Sequence, residues 1–127
     1  MTRIALALSL GLFALAACEQ EAPGYRGTVC LTVRHHGLAV EEATVYHRAG
    51  GSEFPGYPDD MSAAYDQEVF TGLSARACFD GLGLGRHYFA ALAYDPLIRD
   101  SVLGSQSIEL TVRQREWELE LPVSETH

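Results

Sequence analysis

Between Glu116 and Val123 every second residue is apolar: Trp117, Leu119, Leu121 and Val123 alternate with Glu116, Glu118 and Glu120. A period of two puts successive side chains on opposite faces, so this segment reads as a strand with one buried side. Tyr25 to Arg34 repeats the pattern, with Val29, Leu31 and Val33 on one face and Thr28, Cys30 and Thr32 on the other. Ala43–Arg48, rich in the β-formers Thr44, Val45 and Tyr46, reads as a second strand. Asp66–Thr71, Ala75–Phe79, His87–Tyr94 and Gln106–Val112 read as strands as well. In His87–Tyr94 the apolar face is taken as Tyr88, Ala90, Leu92 and Tyr94. Gly, Pro, Ser and Asp gather between these runs, at His35-His36-Gly37, Gly50–Asp60, Gly81–Gly85 and Asp95–Gly104. Only Met61–Gln67 has room for a helical turn. About seven short strands with turns between them predict an all-β, two-sheet sandwich.

The N-terminus departs from this pattern. Met1-Thr2-Arg3 is followed by an apolar run from Ile4 to Ala16, broken only by Ser9 and Gly11, and then by Ala17 and Cys18. A run of about 13 residues is short against the roughly 20 that span a bilayer. It matches the apolar region of an export signal. A plain secretory leader shares the small residues; a cysteine directly after Leu15-Ala16-Ala17 resembles the lipobox of bacterial lipoproteins. The resemblance implies cleavage before Cys18, acylation of that cysteine and anchoring by two or three acyl chains, each buried methylene contributing about 0.8 kcal/mol. Residues 1–17 are then signal peptide, 18–24 a lipidated tether, 25–123 the sandwich and 124–127 a C-terminal tail. Extended, the six residues after Cys18 reach about 20 Å, which keeps the domain close to the bilayer. Glu19 is not the aspartate associated with inner-membrane retention. In an organism with two membranes, the outer one, facing the periplasm, is expected.

Charge narrows the partners. The chain has 17 acidic residues against 9 arginines and no lysine, a net charge of −8 that becomes −9 without the leader's Arg3. Such a surface disfavours nucleic acid and anionic lipid, both of which need clustered positive charge. Three cysteines less Cys18 leave Cys30 and Cys78. An exported chain with an even remainder suggests one disulfide, two buried thiols being the alternative.

Gly37-Leu38-Ala39-Val40, Glu42-Ala43-Thr44-Val45-Tyr46, Ala77-Cys78-Phe79-Asp80-Gly81-Leu82 and Gly85-Arg86-His87-Tyr88 together resemble the carboxypeptidase regulatory-like domains, which share the transthyretin-like Greek-key sandwich. The resemblance spans essentially the whole mature chain and implies a core containing Val45, Phe79, Leu82 and Tyr88. It is nearly silent on function, since the fold hosts many roles. Hydroxyisourate hydrolases of related fold end in Tyr-Arg-Gly-Ser, which Val123–His127 does not match. The Lys–Asn isopeptide staple of related adhesin repeats is impossible without lysine. The two-tyrosine, two-histidine iron site of intradiol dioxygenases finds no matching spacing here. The topology of the resembling fold sets the first strand antiparallel to the fourth. That places Cys30 and Cys78 on one outward face, within bonding distance of each other.

With consecutive strands antiparallel, as in that fold, the His35-His36 turn, Gly72–Ser74 and Asp95–Gly104 share the end far from the tether. His35, His36, Asp95 and Asp100 are then candidate divalent-metal ligands, the alternative being a polar turn. No other cofactor is expected. His47 and His87 are expected on opposite faces and apart. Glu53, Phe54, Tyr57, Asp59 and Asp60, on a loop mixing aromatics, prolines and acids, are candidates for partner recognition. The expected function is that of a non-catalytic structural or interaction module in the cell envelope, held by lipid on Cys18, with a protein or glycan partner. A divalent-metal-binding lipoprotein is the alternative.

Overall fold

Val29, Leu31 and Val33 are completely buried, and they lie on the inner face of the first and central strand, β1 (Gly27–His35). The computed structural model describes residues 24–57 and 65–125. Further strands follow at β2 (Leu38–Ala39), β3 (Thr44–Ala49), β4 (Gln67–Phe70), β5 (Arg76–Leu82), β6 (Gly85–Asp95), β7 (Asp100–Leu110), β8 (Glu116–Pro122) and β9 (Ser124–Glu125). A single 3-10 turn at Gly72–Ser74 is the only helical segment among the described residues.

Two sheets face each other. In the first, β8 runs parallel to β1 along one edge, from Thr28 opposite Glu116 to Arg34 opposite Pro122. The other edge of β1 takes antiparallel β5, then β2. Val33 shows the hand-over: its N–H donates to Ala75 O at 2.9 Å and its carbonyl accepts from Val40 N at 2.9 Å. The second sheet has the order β4-β3-β6-β7-β9, antiparallel throughout. Val29, Leu31, Val33, Phe79 and Leu121 from the first sheet pack against Val45, Phe89, Ala91, Val102 and Leu110 from the second. The predicted two-sheet all-β sandwich is the observed fold.

Cys30 lies directly opposite Cys78 in the β1–β5 register, and the two form a disulfide with Cα atoms 4.0 Å apart. It sits on the outer face, where Arg76 of β5 pairs with Glu118 of β8. Since Glu118 is the register partner of Cys30 and Arg76 that of Thr32, this ion pair reaches across β1 beside the bridge, where Cys30 is only 6% exposed.

Three expectations are corrected. Residues 124–127 are not wholly a tail: Ser124 and Glu125 pair with Leu103 and Val102. The Asp95–Gly104 loop shrinks to the turn Pro96–Arg99, because β7 starts at Asp100. Gly104 hid that strand, since it interrupts the inward row of Val102, Ile108 and Leu110. A Cβ at Gly104 would lie 1.9 Å from Pro122 O, so glycine is required where the chain passes from β8 to β9. The third correction is the face of β6. Phe89 and Ala91 point into the core, whereas Tyr88 is buried on the opposite, outer face, its hydroxyl donating to Gly51 O at 3.3 Å. The possible helical turn at Met61–Gln67 falls mostly outside the described residues.

Candidate functional site

β1 and β6 carry their inward rows to the same end of the sandwich. The row Val29-Leu31-Val33 ends in His35, and the row Phe89-Ala91-Ala93 ends in Asp95. The two last residues meet: His35 Nδ1 lies 2.7 Å from Asp95 Oδ2, with the ring 3% exposed. Asp95 Oδ1 accepts the Leu97 N–H at 2.9 Å, which fixes the carboxylate in the turn. Asp95 raises the His35 pKa above the ordinary imidazole value, against the opposing effect of burial. The hydrogen bond from His35 in turn holds Asp95 below the usual carboxylate range.

The other ring nitrogen faces β9. His35 Nε2 is 3.3 Å from Glu125 Oε2, at a geometry that leaves it buried without a hydrogen bond. His36 follows with φ 53° and Gly37 with φ 81°. Two residues of positive φ between His35 and Leu38 make the tight primed turn that suits a strand pair. This left-handed turn brings two adjacent side chains together that an extended strand would separate. The ring centroids are 4.1 Å apart, and His36 Nε2 lies 3.8 Å from Glu125 Oε1. The Glu125 carboxyl is held below its ordinary value by its own backbone N–H first and by His35 second.

Of the four predicted ligands, the structure therefore brings together His35, His36 and Asp95. Asp100 stands opposite Asp95 in the β6–β7 register, but its carboxylate turns to the Ser101 N–H at 2.8 Å. Glu125 takes its place. No sequence signal marked Glu125, which lies beyond the last recognisable alternation.

A second cluster sits at the tether end. Contrary to expectation, His47 and His87 both face the core and touch, with His47 Nε2 2.8 Å from His87 Nδ1. Each ring is 2% exposed. His87 Nε2 is 2.8 Å from Gly83 O, a pure acceptor, so that nitrogen carries the proton. Nδ1 of a neutral His87 then accepts from His47 Nε2–H, and His47 Nδ1 accepts from the Gln67 amide at 3.0 Å. Two neutral rings satisfy the whole chain. Burial, and then the neighbouring His87, push the His47 pKa down to about 4, with Asp66 opposing. The pair was missed because both faces of β6 are apolar, so alternation alone could not choose between Tyr88 and Phe89.

The described part of the recognition loop, through Tyr57, packs against its own residues and the second sheet. Phe54 meets Tyr57 edge-on at 5.1 Å, and the Tyr65 hydroxyl donates to Gly56 O. Phe54 and Tyr88 line the same shallow depression, so the described start of this loop lies against the outer face of the second sheet. Glu53 is exposed; Asp59 and Asp60, like Cys18, lie outside the described residues.

Apolar residues are exposed chiefly at the far end. Leu38, Phe70, Leu73, Tyr94, Leu97 and Ile98 are six of the nine large exposed hydrophobics among the described residues, and all six lie on turns or strand ends there. Leu97 and Tyr94 line a cavity of about 270 Å³ together with Glu41, Glu42 and Asp95.

Neither a protein-family profile nor a curated protein sequence matches the chain. Solved structures do. A DUF3823 family protein from Parabacteroides merdae superposes with a TM-score of 0.52 at 16% identity, over 80% of this chain and 47% of that one. This chain thus spans about half the length of that protein. A carbohydrate-binding candidate from Pseudomonas aeruginosa superposes with a TM-score of 0.49 at 13% identity, over 81% and 90% of the respective chains. At such identities the likeness to the first is one of fold: an all-β, two-sheet sandwich.

Proposed function

We propose that this protein is a lipid-anchored envelope module, non-catalytic and of the carboxypeptidase regulatory-like kind, whose far end docks a protein partner. The lipobox-like Leu15-Ala16-Ala17-Cys18 supports the anchor, in the outer membrane and facing the periplasm where the cell has two membranes. The observation that carries the docking reading is the grouping of exposed apolar side chains at the end opposite the tether. Leu97 and Leu73 are each 76% exposed and Leu38 is 59% exposed. Exposed large apolar side chains gathered at one end of a domain are the kind of surface that interaction sites use. Glu41 and Glu42 are exposed on the wall of the cavity beside Leu97. The complementary partner surface is apolar with basic residues. Steering by opposite charge suits a chain of net charge −8.

The test is a photo-crosslinking amino acid placed at Leu97 and, as control, at Val112, which is exposed at the tether end. In intact cells a discrete, protease-sensitive adduct should form from Leu97 and not from Val112, and Glu41→Lys with Glu42→Lys should abolish it. The same cells carrying Cys18→Ser should lose detergent partitioning of the protein. Equal labelling from both positions, no adduct, or an adduct that is a glycan would overturn the docking reading. Normal partitioning of the Cys18→Ser chain would overturn the anchor.

A further inference from the structure

We propose that His35 Nε2, His36 and the Glu125 carboxylate form a binding site for one divalent transition-metal ion of the zinc type, with Asp95 as the residue that positions His35. The ligand atoms of the three residues lie within 4.8 Å of one another. An ion holding nitrogen and oxygen ligands tetrahedrally at about 2.0–2.1 Å sets neighbouring ligand atoms about 3.3 Å apart. His35 Nε2 lies 3.3 Å from Glu125 Oε2 and His36 Nε2 3.8 Å from Glu125 Oε1, so each ring nitrogen is already near that spacing from one oxygen of the same carboxylate.

The buried nitrogen is the independent sign. His35 Nε2 makes no well-formed hydrogen bond although its ring is almost wholly enclosed; it is left with the looser 3.3 Å contact to Glu125 Oε2, and an under-satisfied buried polar atom is costly. A metal ion gives its lone pair a partner. The opposite nitrogen bonds to Asp95. That carboxylate–histidine arrangement is the usual support of a metal-bound imidazole, fixing the tautomer that leaves Nε2 free to coordinate. Two imidazoles and one carboxylate suit zinc, nickel or copper, whereas calcium and magnesium call for oxygen ligands. Three protein ligands leave one position to water or to a donor from another molecule.

Several local features converge on the site. His36 adopts a left-handed conformation that turns its ring beside His35. Gly104 lets the backbone of Pro122 approach closely enough for β9 to dock on β7. Glu125 arrives through that docking. The ligands thus come from the β1–β2 turn and from the last strand, about 90 residues apart in the chain.

The experiment is zinc titration of the complete mature protein without a polyhistidine tag, followed by competition with a chromophoric chelator and by nitrogen NMR of the rings. One zinc should bind with micromolar or tighter affinity, and His35 Nε2 should take on the chemical shift of a metal-bound nitrogen while Nδ1 keeps its proton. Because His35 is buried and its replacement could unfold the chain, the variants are His36→Ala and Glu125→Gln, at residues of exposed and partly exposed side chain. Each should weaken zinc at least tenfold. Asp95→Asn should weaken it about 10–100-fold while the Nε2 signature persists. Millimolar binding only, tight binding indifferent to His36→Ala and Glu125→Gln, or zinc bound with no change at His35 Nε2 would each overturn the site.

Discussion

Acid should destabilise this domain in a defined window through His47. The ring is buried between Phe79 and Phe89, whose centroids lie 5.5 and 5.1 Å away, and its Nε2 is occupied by His87. The carboxylate that acts on it among the described residues is that of Asp66, which already accepts the Ala49 N–H at 2.7 Å. The folded-state pKa near 4 lies below the ordinary 6.5. In that interval the unfolded chain takes up a proton that the folded chain refuses, so stability falls as pH drops from about 6.5 toward 4. Integrated between pH 7 and pH 4.5, the loss is about 2.5 kcal/mol for this one ring. With a urea dependence of roughly 1–3 kcal/mol per molar for a domain of this size, the unfolding midpoint should fall by about 1–2 M. The assay is urea unfolding at both pH values of the wild type and of His47→Gln, whose amide can still donate to His87. The variant removes the titrating group, so the difference between the two slopes isolates it from the rest of the chain. Asp95, Glu118 and Glu125 have carboxyls held below their ordinary values, so their losses come at lower pH. Equal acid losses in wild type and His47→Gln, or an NMR titration of His47 near 6.5, would refute the reasoning.

Two further outcomes follow from the fold. Replacing Cys30 and Cys78 by alanine opens a loop of sequence separation 48, which chain entropy values at about 4 kcal/mol, so the melting temperature should drop by roughly 15 °C or more; an unchanged temperature would show that the bridge constrains little. Gly104→Ala places a methyl group against the Pro122 carbonyl and should cost about 1–3 kcal/mol, with faster amide exchange at Glu125 as β9 detaches, whereas a variant as stable as the wild type would contradict the close approach.

The sandwich was legible wherever burial is one-sided. β1 and β8 alternate cleanly because their outer faces meet water through Thr28, Thr32, Glu116, Glu118 and Glu120. The disulfide followed from strand facing once the resembling topology was supplied. Failure came where the pattern lost its contrast. Tyr88 to Ala93 is apolar on both sides, since a loop covers the outer face, and the face assignment of β6 slipped by one residue, carrying His87 with it. A slip of one residue inverts every side chain on a strand, and so His87 was turned away from the face that His47 shares with Val45 and the buried pair was read as two residues apart. The metal-type cluster was half legible: paired histidines and Asp95 stood out as chemistry. Glu125 could be found only in three dimensions, because β9 is two residues long and depends on a glycine whose role is to make room for another segment's backbone.

The placement of β1 bears on force. A lipid at Cys18 would pull on the domain through the residues ahead of Gly27, directly along the axis of this strand. Ladder hydrogen bonds run roughly across the strands, so such a pull loads the contacts to β5 and β8 together, in shear, instead of peeling them one after another. The bridge from Cys30 to Cys78 then passes tension into β5 only three residues into the strand. Were the domain held through this strand and pulled from its far end, the load would enter where β1 is bonded on both edges, to β5 and to β8.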